Sequence, residues 1–304
     1  MKSKTTFMAA TMSILASATL ANADGFKKPE WFENARFGVF CHWGIQCTPE
    51  AGDWYGHNMY KEGHWQNKYH KEHYGDPKEF GLKDFAPLWK AENWKPEELV
   101  ALYKRMGARY ILAMANHHDN FDNWDSKYQP WNSVNMGPKK DIIGGWAKAA
   151  RNIERGSPGK PMYPHWQTDT CIGDWHYDRG WFRDKRYRGA RGVLRSLVDT
   201  VSKNGNLVIS IPIRADGTID EEERAICEDI AAWMEVNGAA IFDTVPYEVC
   251  GEGPQIEKAS ELGDDVEFNE GRIPQPRKED VRYLKSKDGK TLYAVALVPP
   301  DEGE

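Results

Sequence analysis

The stretch FGVFCHWG, residues 37–44, is a short apolar run that ends in His, Trp and Gly. A run of this length and composition is typical of a strand buried in a sheet. Because His42 follows the run directly, we expect chemistry at the carboxyl end of this strand. Residues 43–95 are rich in Gly, Trp, His and Tyr with little hydrophobic period, which predicts a long functional loop.

Two further apolar runs predict strands of the same kind. Arg109–Ala115 ends at Asn116-His117-His118-Asp119, and Asn206–Ile213 follows a helix expected at about 189–203. Strand, loop and helix therefore alternate, which indicates an α/β core with parallel strands. Helix-start residues and amphipathic spacing predict the remaining helices over 95–106, 141–151 and 220–236.

The predicted architecture is a (β/α)8 TIM-like barrel with its central strands missing. Polar clusters follow the strand ends, which is where such a barrel has its active site. A complete barrel needs eight strands, whereas only three of barrel type are identified and residues 152–187 contain no convincing strand. We expect an open barrel to be poorly stable, because it leaves strand edges unpaired and apolar faces wet.

The last part of the chain has a different pattern. Two possible strands near 281–285 and 291–298 flank Asp288-Gly289, which is a hairpin signal. The predicted segments are, in order, a signal peptide over 1–23, a catalytic barrel-like domain over 24–247 that is incomplete around 151–165, and a linker with a partial C-terminal β domain over 248–304.

Residues 1–23 are typical of a secretory signal peptide. Lys2 and Lys4 precede the Ala-rich apolar run Phe7–Leu20, and Ala21-Asn22-Ala23 fits a cleavage site between small residues. The run is too short for a membrane span, and a buried N-terminal helix is the alternative interpretation. We expect a secreted or periplasmic protein with no membrane span after cleavage.

The composition excludes some classes of function. The chain of 304 residues has a formal net charge of −6 and no long basic run, which argues against nucleic acid as a main partner. Its five cysteines include no C-x-x-C pair, which argues against a zinc ribbon or a thioredoxin site. Several of the thirteen tryptophans lie outside any apolar period, and such rings either stack on a ligand or fill the core.

Several motifs resemble those of one enzyme family in both number and order. Trp31–Gly44 resembles the first-strand motif of glycoside hydrolase family 29, the α-L-fucosidases, and Asp53–Tyr55 resembles the loop motif that follows it. The resemblance covers about residues 29–247. Its other matching segments are Asn58–Tyr60, Gly107–Tyr110, His117–Phe121, Trp124–Ser126, Gly137–Ile143, Trp166–Cys171, Trp175–Tyr177, Val201–Asn206, Asp216-Gly217 and Asn237–Thr244.

The resemblance implies a barrel followed by a C-terminal β-sandwich domain, of which this chain would hold only the start over 248–304. It also implies an exported retaining hydrolase that releases terminal α-L-fucose from glycans or fucose-containing polysaccharides. Its chemistry would use two carboxyl groups and no metal or organic cofactor. The resemblance also implies a sugar pocket made of hydrogen-bonding groups and flat rings, namely His42, Asp53, Trp54, His117, His118 and Trp124.

The chain departs from the family pattern at the catalytic carboxylates. In the family, a long segment with the nucleophilic Asp precedes the motif at Trp166, but here only residues 152–165 follow Arg151 before it. The acid/base Glu of the family corresponds to Gln167, whose neutral amide cannot cycle a proton. If this segment is extended, Asp169 shares a face with Gln167 and is the candidate acid/base. No nucleophile is found, so we expect weak or no hydrolysis.

Two other functions remain open. One is a non-catalytic fucose-binding or carbohydrate-binding remnant of the family. The other is a metal-dependent hydrolase built on His117-His118-Asp119, because His and carboxylate are ligands for zinc or iron. Neighbouring residues of an extended chain point to opposite sides, and the sequence has no HExxH spacing. We therefore expect no metal and no cofactor.

Overall fold

The computed structural model describes residues 29–151, 165–262 and 272–299. The strands are β1 Phe37–Cys41, β2 Tyr110–Ala113, β3 Trp166–Cys171, β4 Gly205–Ser210, β5 Thr244–Glu252, β6 Val281–Ser286 and β7 Leu292–Ala296. The α-helices are α1 Glu30–Ala35, α2 Tyr55–Asn58, α3 Trp65–Tyr74, α4 Pro96–Arg105, α5 Ile142–Arg151, α6 Arg179–Arg183, α7 Ala190–Ser202, α8 Glu221–Asn237 and α9 Pro254–Leu262. Short 3₁₀ segments cover Ile45–Cys47, Leu82–Leu88 and Gly238–Ala240.

The first four strands form one parallel sheet in the order β2-β1-β4-β3. Val39 of β1 pairs with Ile111 of β2 on one side and with Ile209 of β4 on the other. The parallel α/β core and the strands β1, β2 and β4 are therefore confirmed. Because the strands are parallel, all four carboxyl ends lie at the same edge of the sheet.

Helices cover one face of the parallel sheet. On β1 the alternate residues Phe37, Val39 and Cys41 are buried, and they belong to one core with apolar residues of α4, α7 and α8. These helices present apolar residues at the i, i+3, i+4 spacing of an amphipathic helix, such as Leu99 and Leu102 on α4. Each fully buried side chain of this size contributes about 1.5–3 kcal/mol of transfer free energy.

The opposite face of the sheet, which we call the inner face, carries Gly38 of β1 and its β2 neighbour Tyr110. A Cβ on Gly38 of β1 would lie 2.6 Å from the ring of Tyr110, so this position must be glycine for the ring to lie there. The Tyr110 hydroxyl donates a hydrogen bond of 2.9 Å to Oε1 of Gln167 on β3. Since β2 and β3 are the two outermost strands of the described sheet, this bond joins its opposite edges across the inner face.

β3 corrects one prediction, because residues 152–187 do contain a strand. Its sequence, Trp-Gln-Thr-Asp-Thr-Cys, lacks the apolar run that marks a buried strand. Its side chains are half-exposed or exposed, since it pairs along one side only, with β4. The predicted gap itself falls mainly on residues 152–164, which lie outside the described residues.

The loop predicted over 43–95 is also corrected in part, because it contains α2, α3 and two 3₁₀ segments. The side chains that α3 buries are polar, namely Gln66, Asn67 and His70. A helix that buries amides and an imidazole has no apolar stripe for sequence reasoning to find.

The C-terminal part forms a separate antiparallel sheet in the order β5-β6-β7. The predicted hairpin is confirmed as β6 and β7, which turn at Gly289, while β5 and α9 were not predicted. Buried Arg282 of β6 forms an ion pair of 2.6 Å with Asp199 of α7. Arg195 of α7 also donates to the backbone oxygen of Leu297, so α7 joins this sheet to the core.

The predicted signal peptide, residues 1–23, lies outside the described residues. Across the described ranges, no helix has the length and apolarity that a bilayer crossing requires.

Candidate active site

Three histidines meet at the carboxyl edge of the parallel sheet. His42 follows β1, His117 follows β2, and His176 lies on the segment after β3. The ring centroids are 5.8 Å apart for His42 and His117, 5.6 Å for His42 and His176, and 5.0 Å for His117 and His176. We call these three residues the histidine cluster. Parallel strands bring it together, because each strand delivers its following residues to the same edge.

Asp53 adds a carboxylate to the histidine cluster. Its Oδ1 lies 2.5 Å from Nδ1 of His176, which is itself fully buried. Two contacts fix the Asp53 backbone: its N–H donates to Asp174 at 3.0 Å, and the Gln66 amide donates to its carbonyl at 2.9 Å. Burial is the largest influence and opposes ionisation, but the hydrogen bond and charge of His176, the Trp54 backbone N–H and the charge of His117 together outweigh it, so the pKa of Asp53 is lowered. The group is therefore a carboxylate that accepts hydrogen bonds, and not a proton donor, near neutral pH.

The other two histidines of the cluster are neutral at pH 7. Burial, together with the neighbouring imidazoles, lowers the pKa of His42 to about 3 and that of His117 to about 4. The site therefore offers uncharged hydrogen-bonding nitrogens beside one anion. That combination suits the hydroxyl groups of a neutral ligand better than it suits an anion.

His117 is oriented by Gln46, which is fully buried. The Gln46 amide donates to Nδ1 of His117 at 3.1 Å and to Oδ2 of Asp119 at 3.0 Å, while its Oε1 accepts from the Gly56 backbone at 3.2 Å. Because a donated hydrogen bond occupies Nδ1, the proton of neutral His117 lies on Nε2. That N–H can donate to an acceptor on a ligand.

A flat wall borders the site. The rings of Trp54 and His118 stack at 4.1 Å with an angle of 13° between their planes. Half of the Trp54 surface is exposed, and its backbone adopts a left-handed conformation with φ of 58°. A bulky residue is rare in this conformation, so the surrounding contacts hold the ring in place. An exposed indole face of this kind packs well against apolar C–H groups.

The structure thus brings together five of the seven residues that the sequence singled out, namely His42, Asp53, Trp54, His117 and His118. Trp124 is half-buried on the segment after β2, and among the described residues no ring contact joins it to the cluster. Asp169 is exposed within β3, paired with Val208 of β4. It lies two residues before the end of the strand, which places it roughly 7 Å below the carboxyl edge.

Sequence reasoning missed His176, Trp175 and Gln46. His176 and Trp175 follow β3, and that strand was itself missed, so their position after a strand end could not be used. Trp175 lies 5.0 Å from the ring of His42. Two signals were available: the resemblance of Trp175–Tyr177 to a family motif, and the cluster of Asp174, Trp175 and His176 in an otherwise polar segment.

The metal alternative built on His117, His118 and Asp119 is wrong as to its residues. His118 stacks on Trp54, Asp119 accepts from Gln46 and from the Phe121 backbone, and neither belongs to a group of converging ligand atoms among the described residues. Within the described ranges the candidate ligand set is instead Asp53, His117 and His176, whose donor atoms lie within 4.8 Å of one another. Protein hydrogen bonds already engage Nδ1 of His117 and Nδ1 of His176. The expected absence of a metal stays a prediction.

Known proteins share this fold. The α-fucosidase of Thermotoga maritima in complex with fucose superposes with a TM-score of 0.74 at 22% identity, covering 90% of this chain and 84% of that chain. An α-L-fucosidase of Branchiostoma floridae is 39% identical over 129 residues, and the tissue α-L-fucosidase of Homo sapiens is 38% identical over 133 residues. These two alignments cover 41% and 42% of this chain and 28% of each relative. The chain therefore spans less than a third of the length of the curated relatives that it matches.

The family assignment rests on the larger part of the chain. The model of the α-L-fucosidase family matches residues 8–154 and 151–239. The resemblance found in the sequence motifs is thereby confirmed, and the chain belongs to the α-L-fucosidase family.

Proposed function

We propose that this chain is an exported member of its family, secreted or periplasmic, that recognises terminal α-L-fucose on glycans or fucose-containing polysaccharides. The single observation that supports this most is the convergence of Asp53 and the histidine cluster beside the ring wall of Trp54 and His118. Export is proposed from the pattern of residues 1–23.

The chemistry of fucose fits this arrangement. Fucose has ring hydroxyl groups that donate and accept hydrogen bonds, and a methyl group where other hexoses have a hydroxymethyl group. The Asp53 carboxylate can accept hydrogen bonds from hydroxyls, and Nε2–H of His117 can donate one. The exposed face of Trp54 offers an apolar surface for the methyl group and the C–H edge of the sugar.

We further propose that hydrolysis by this chain is impaired. Retaining hydrolysis needs a nucleophile and an acid/base group about 5–5.5 Å apart. The carboxylates next to the histidine cluster are held by protein hydrogen bonds: Asp53 by His176, Asp119 by Gln46, and Asp174 by the Asp53 backbone. These contacts suit binding and orientation better than attack on an anomeric carbon.

The motif that should hold the acid/base group supports the same proposal. Gln167 replaces a carboxyl group there, and its Oε1 accepts from Tyr110. Asp169 is the nearest carboxylate on that face of β3, so it is the candidate acid/base. The family model matches this chain in two pieces, which overlap at residues 151–154. This fits a chain that lacks the intervening segment with the central barrel strands and the nucleophile.

Fucose recognition is tested by isothermal titration of the purified chain with L-fucose. We expect saturable binding that weakens at least about tenfold in His117→Ala, because the imidazole donates to the sugar in this account. His73→Ala is the matched control, because His73 is exposed on α3 and stacks on Tyr69 away from the cluster. No binding by the wild type, or equal losses in both variants, would contradict the proposal.

The alternative is a non-catalytic carbohydrate-binding protein of the same family. The exposure of Asp169 and the amide at Gln167 favour it. Both the impaired hydrolase and the non-catalytic protein are expected to bind L-fucose. They differ in turnover, because only the hydrolase releases fucose from a fucoside.

A further inference from the structure

β4 also ends at the carboxyl edge of the parallel sheet, and Arg214 lies on the segment that follows it. Arg214 makes two hydrogen bonds there: its backbone carbonyl accepts from Nε1 of Trp43 at 2.9 Å, and its Nε donates to the Tyr177 hydroxyl at 3.2 Å. Trp43 follows His42 in the chain, and Tyr177 follows His176. The segment after β4 therefore contacts the direct neighbours of two residues of the histidine cluster.

Trp43 anchors the backbone of Arg214. The Trp43 ring is buried, and its centroid lies 5.3 Å from the ring centroid of Trp89 and 5.3 Å from that of Trp94. An indole has a single N–H donor, and in Trp43 that hydrogen goes to the Arg214 carbonyl. The point from which the Arg214 side chain extends is therefore fixed to the core.

The Tyr177 hydroxyl makes two hydrogen bonds with opposite roles. It accepts from Nε of Arg214 and donates to Oδ2 of Asp220, each at 3.2 Å. Tyr177 and Asp220 are both buried. The guanidinium carbon of Arg214 also lies 5.5 Å from the centre of the Tyr177 ring, within the range of a cation–π contact. Arg214 and Asp220 together fix the position of this ring.

Tyr177 in turn joins the two segments that carry Asp53 and His176. Its backbone carbonyl accepts from the Gly52 backbone N–H at 3.2 Å, one residue along the chain from the bond of 2.5 Å between Asp53 and His176. Two neighbouring bonds therefore join the same segments, one between backbones and one between side chains. A displacement of Tyr177 would change the distance between Asp53 and His176.

The histidine rings are poorly fixed by hydrogen bonds of their own. Within the described part of the chain, Nδ1 of His42 and Nε2 of His176 are buried and have no hydrogen-bond partner. The orientation of the His176 ring thus depends on Asp53 and on the backbone that carries the ring. Groups that bind a ligand must be held within about 0.5 Å of their productive geometry by supporting contacts.

We propose that Arg214 is a positioning residue for fucose recognition. Through Tyr177 it holds His176 and Asp53 in the arrangement in which the Asp53 carboxylate accepts hydrogen bonds from the sugar, and it does not itself touch the ligand. This inference rests on the proposed function, because it places fucose at the histidine cluster.

The first test is isothermal titration of the purified chain with L-fucose. We expect Arg214→Ala to bind about tenfold more weakly than the wild type, because a supporting hydrogen bond is lost. Tyr177→Phe should also weaken binding, and Arg214→Ala should cost no further affinity in the Tyr177→Phe background, because both changes remove the same hydrogen bond. Arg214→Lys should retain part of the affinity, since its ammonium group can also donate to the Tyr177 hydroxyl.

Arg105→Ala is the matched control. Arg105 is 54% exposed at the end of α4, where it pairs with Glu228 of α8, and α4 precedes the amino-terminal end of β2. This variant should bind L-fucose as tightly as the wild type. The inference is overturned if Arg214→Ala also keeps the full affinity, or if it weakens binding as much in the Tyr177→Phe background as it does in the wild type.

A second measurement needs no fucose and separates positioning from a mere loss of stability. The imidazole nitrogen resonances of His176 report its hydrogen bond to Asp53, and they are identified by their loss in His176→Gln. We expect them to shift in folded Arg214→Ala and to stay unchanged in Arg105→Ala. Tyr177→Phe provides the same comparison if Arg214→Ala does not fold.

Failure of the proposed function gives a different result. If the wild type does not bind L-fucose, the histidine cluster is not its site, and the His176 resonances alone then decide whether Arg214 holds His176. Shifted resonances in Arg214→Ala would support that role, whereas unchanged resonances would overturn it.

Discussion

Asp53 and His176 stand 123 residues apart in the chain, yet Oδ1 of the first lies 2.5 Å from Nδ1 of the second. This bond joins the connection after β1 to the segment after β3, so it links two of the strand ends that build the site. His176 is fully buried, and its Nε2 has no hydrogen-bond partner among the described residues. Among the described residues, the bond to Asp53 is therefore the only hydrogen bond that the His176 imidazole forms.

Asp53→Asn should destabilise the protein by about 1–3 kcal/mol, because a buried charge-assisted hydrogen bond is lost. The pKa of Asp53 is lowered from 3.8, so this stabilisation is fully present above pH 3.8 and is lost as the pH falls below that value. Urea unfolding at pH 7 and at pH 3 measures the difference. Asp125→Asn, at an exposed position, should change stability little at either pH, and an equal effect of the two variants would contradict this account.

Glu223→Gln should stabilise the protein at neutral pH. Glu223 is buried on α8, where its Oε2 accepts from the Asp220 backbone at 2.8 Å. Burial and the nearby Asp220 charge raise its pKa well above 4.5. Its contribution to stability is therefore present below pH 4.5 and is lost as the pH rises through the folded-state pKa.

The glutamine keeps an acceptor for the Asp220 backbone but does not ionise. We expect thermal unfolding to show the variant more stable than the wild type by about 1 kcal/mol or more at pH 8, with the gap closing toward pH 4.5. A gap that widens toward acid pH would contradict the assignment.

Gly38→Ala should cost about 1–3 kcal/mol, because the new Cβ would lie 2.6 Å from the Tyr110 ring and force it to move. The displaced ring would also lose its hydrogen bond to Gln167. A double-mutant cycle with Tyr110→Ala isolates this effect: once the ring is gone, Gly38→Ala should cost far less. Additive losses in urea unfolding would show that the ring over Gly38 is not what limits this position.

Asp199→Asn should loosen the antiparallel sheet from α7. Its partner Arg282 is 1% exposed and lies 2.6 Å away, whereas Asp199 is 31% exposed. Removing one partner of a buried ion pair costs roughly 3–5 kcal/mol, and the partial exposure of Asp199 reduces this to about 2 kcal/mol. The matched control is Lys258→Ala, which breaks the exposed pair with Glu261 and should cost less than about 1 kcal/mol. Similar losses of unfolding free energy in both variants would contradict a special role for Arg282.

The sequence allowed prediction of the elements whose burial is apolar. β1 and β4 show runs such as Phe37–Cys41, and α7 has its apolar residues at helical spacing. The hairpin of β6 and β7 was predicted from Asp288-Gly289, since a positive φ is needed at the turn and Gly289 supplies it. Local chemistry was sufficient in these cases.

Elements that bury polar groups could not be predicted in this way. α3 packs through Gln66, Asn67 and His70, and β3 leaves Gln167 and Asp169 exposed. No hydrophobic period marks either element, because α3 buries hydrogen-bonding side chains and β3 leaves its side chains half-exposed or exposed. For the same reason the sequence indicated His42 and His117, which follow apolar strands, and did not indicate His176, whose strand is polar.

The most direct test of the central claim is the release of fucose from 4-nitrophenyl α-L-fucoside by the purified chain and by Asp169→Asn. We predict weak or no release by the wild type, while L-fucose still binds with measurable affinity. Robust release that is lost in Asp169→Asn would contradict the account, because it would show a working carboxylate mechanism in a chain with no identified nucleophile.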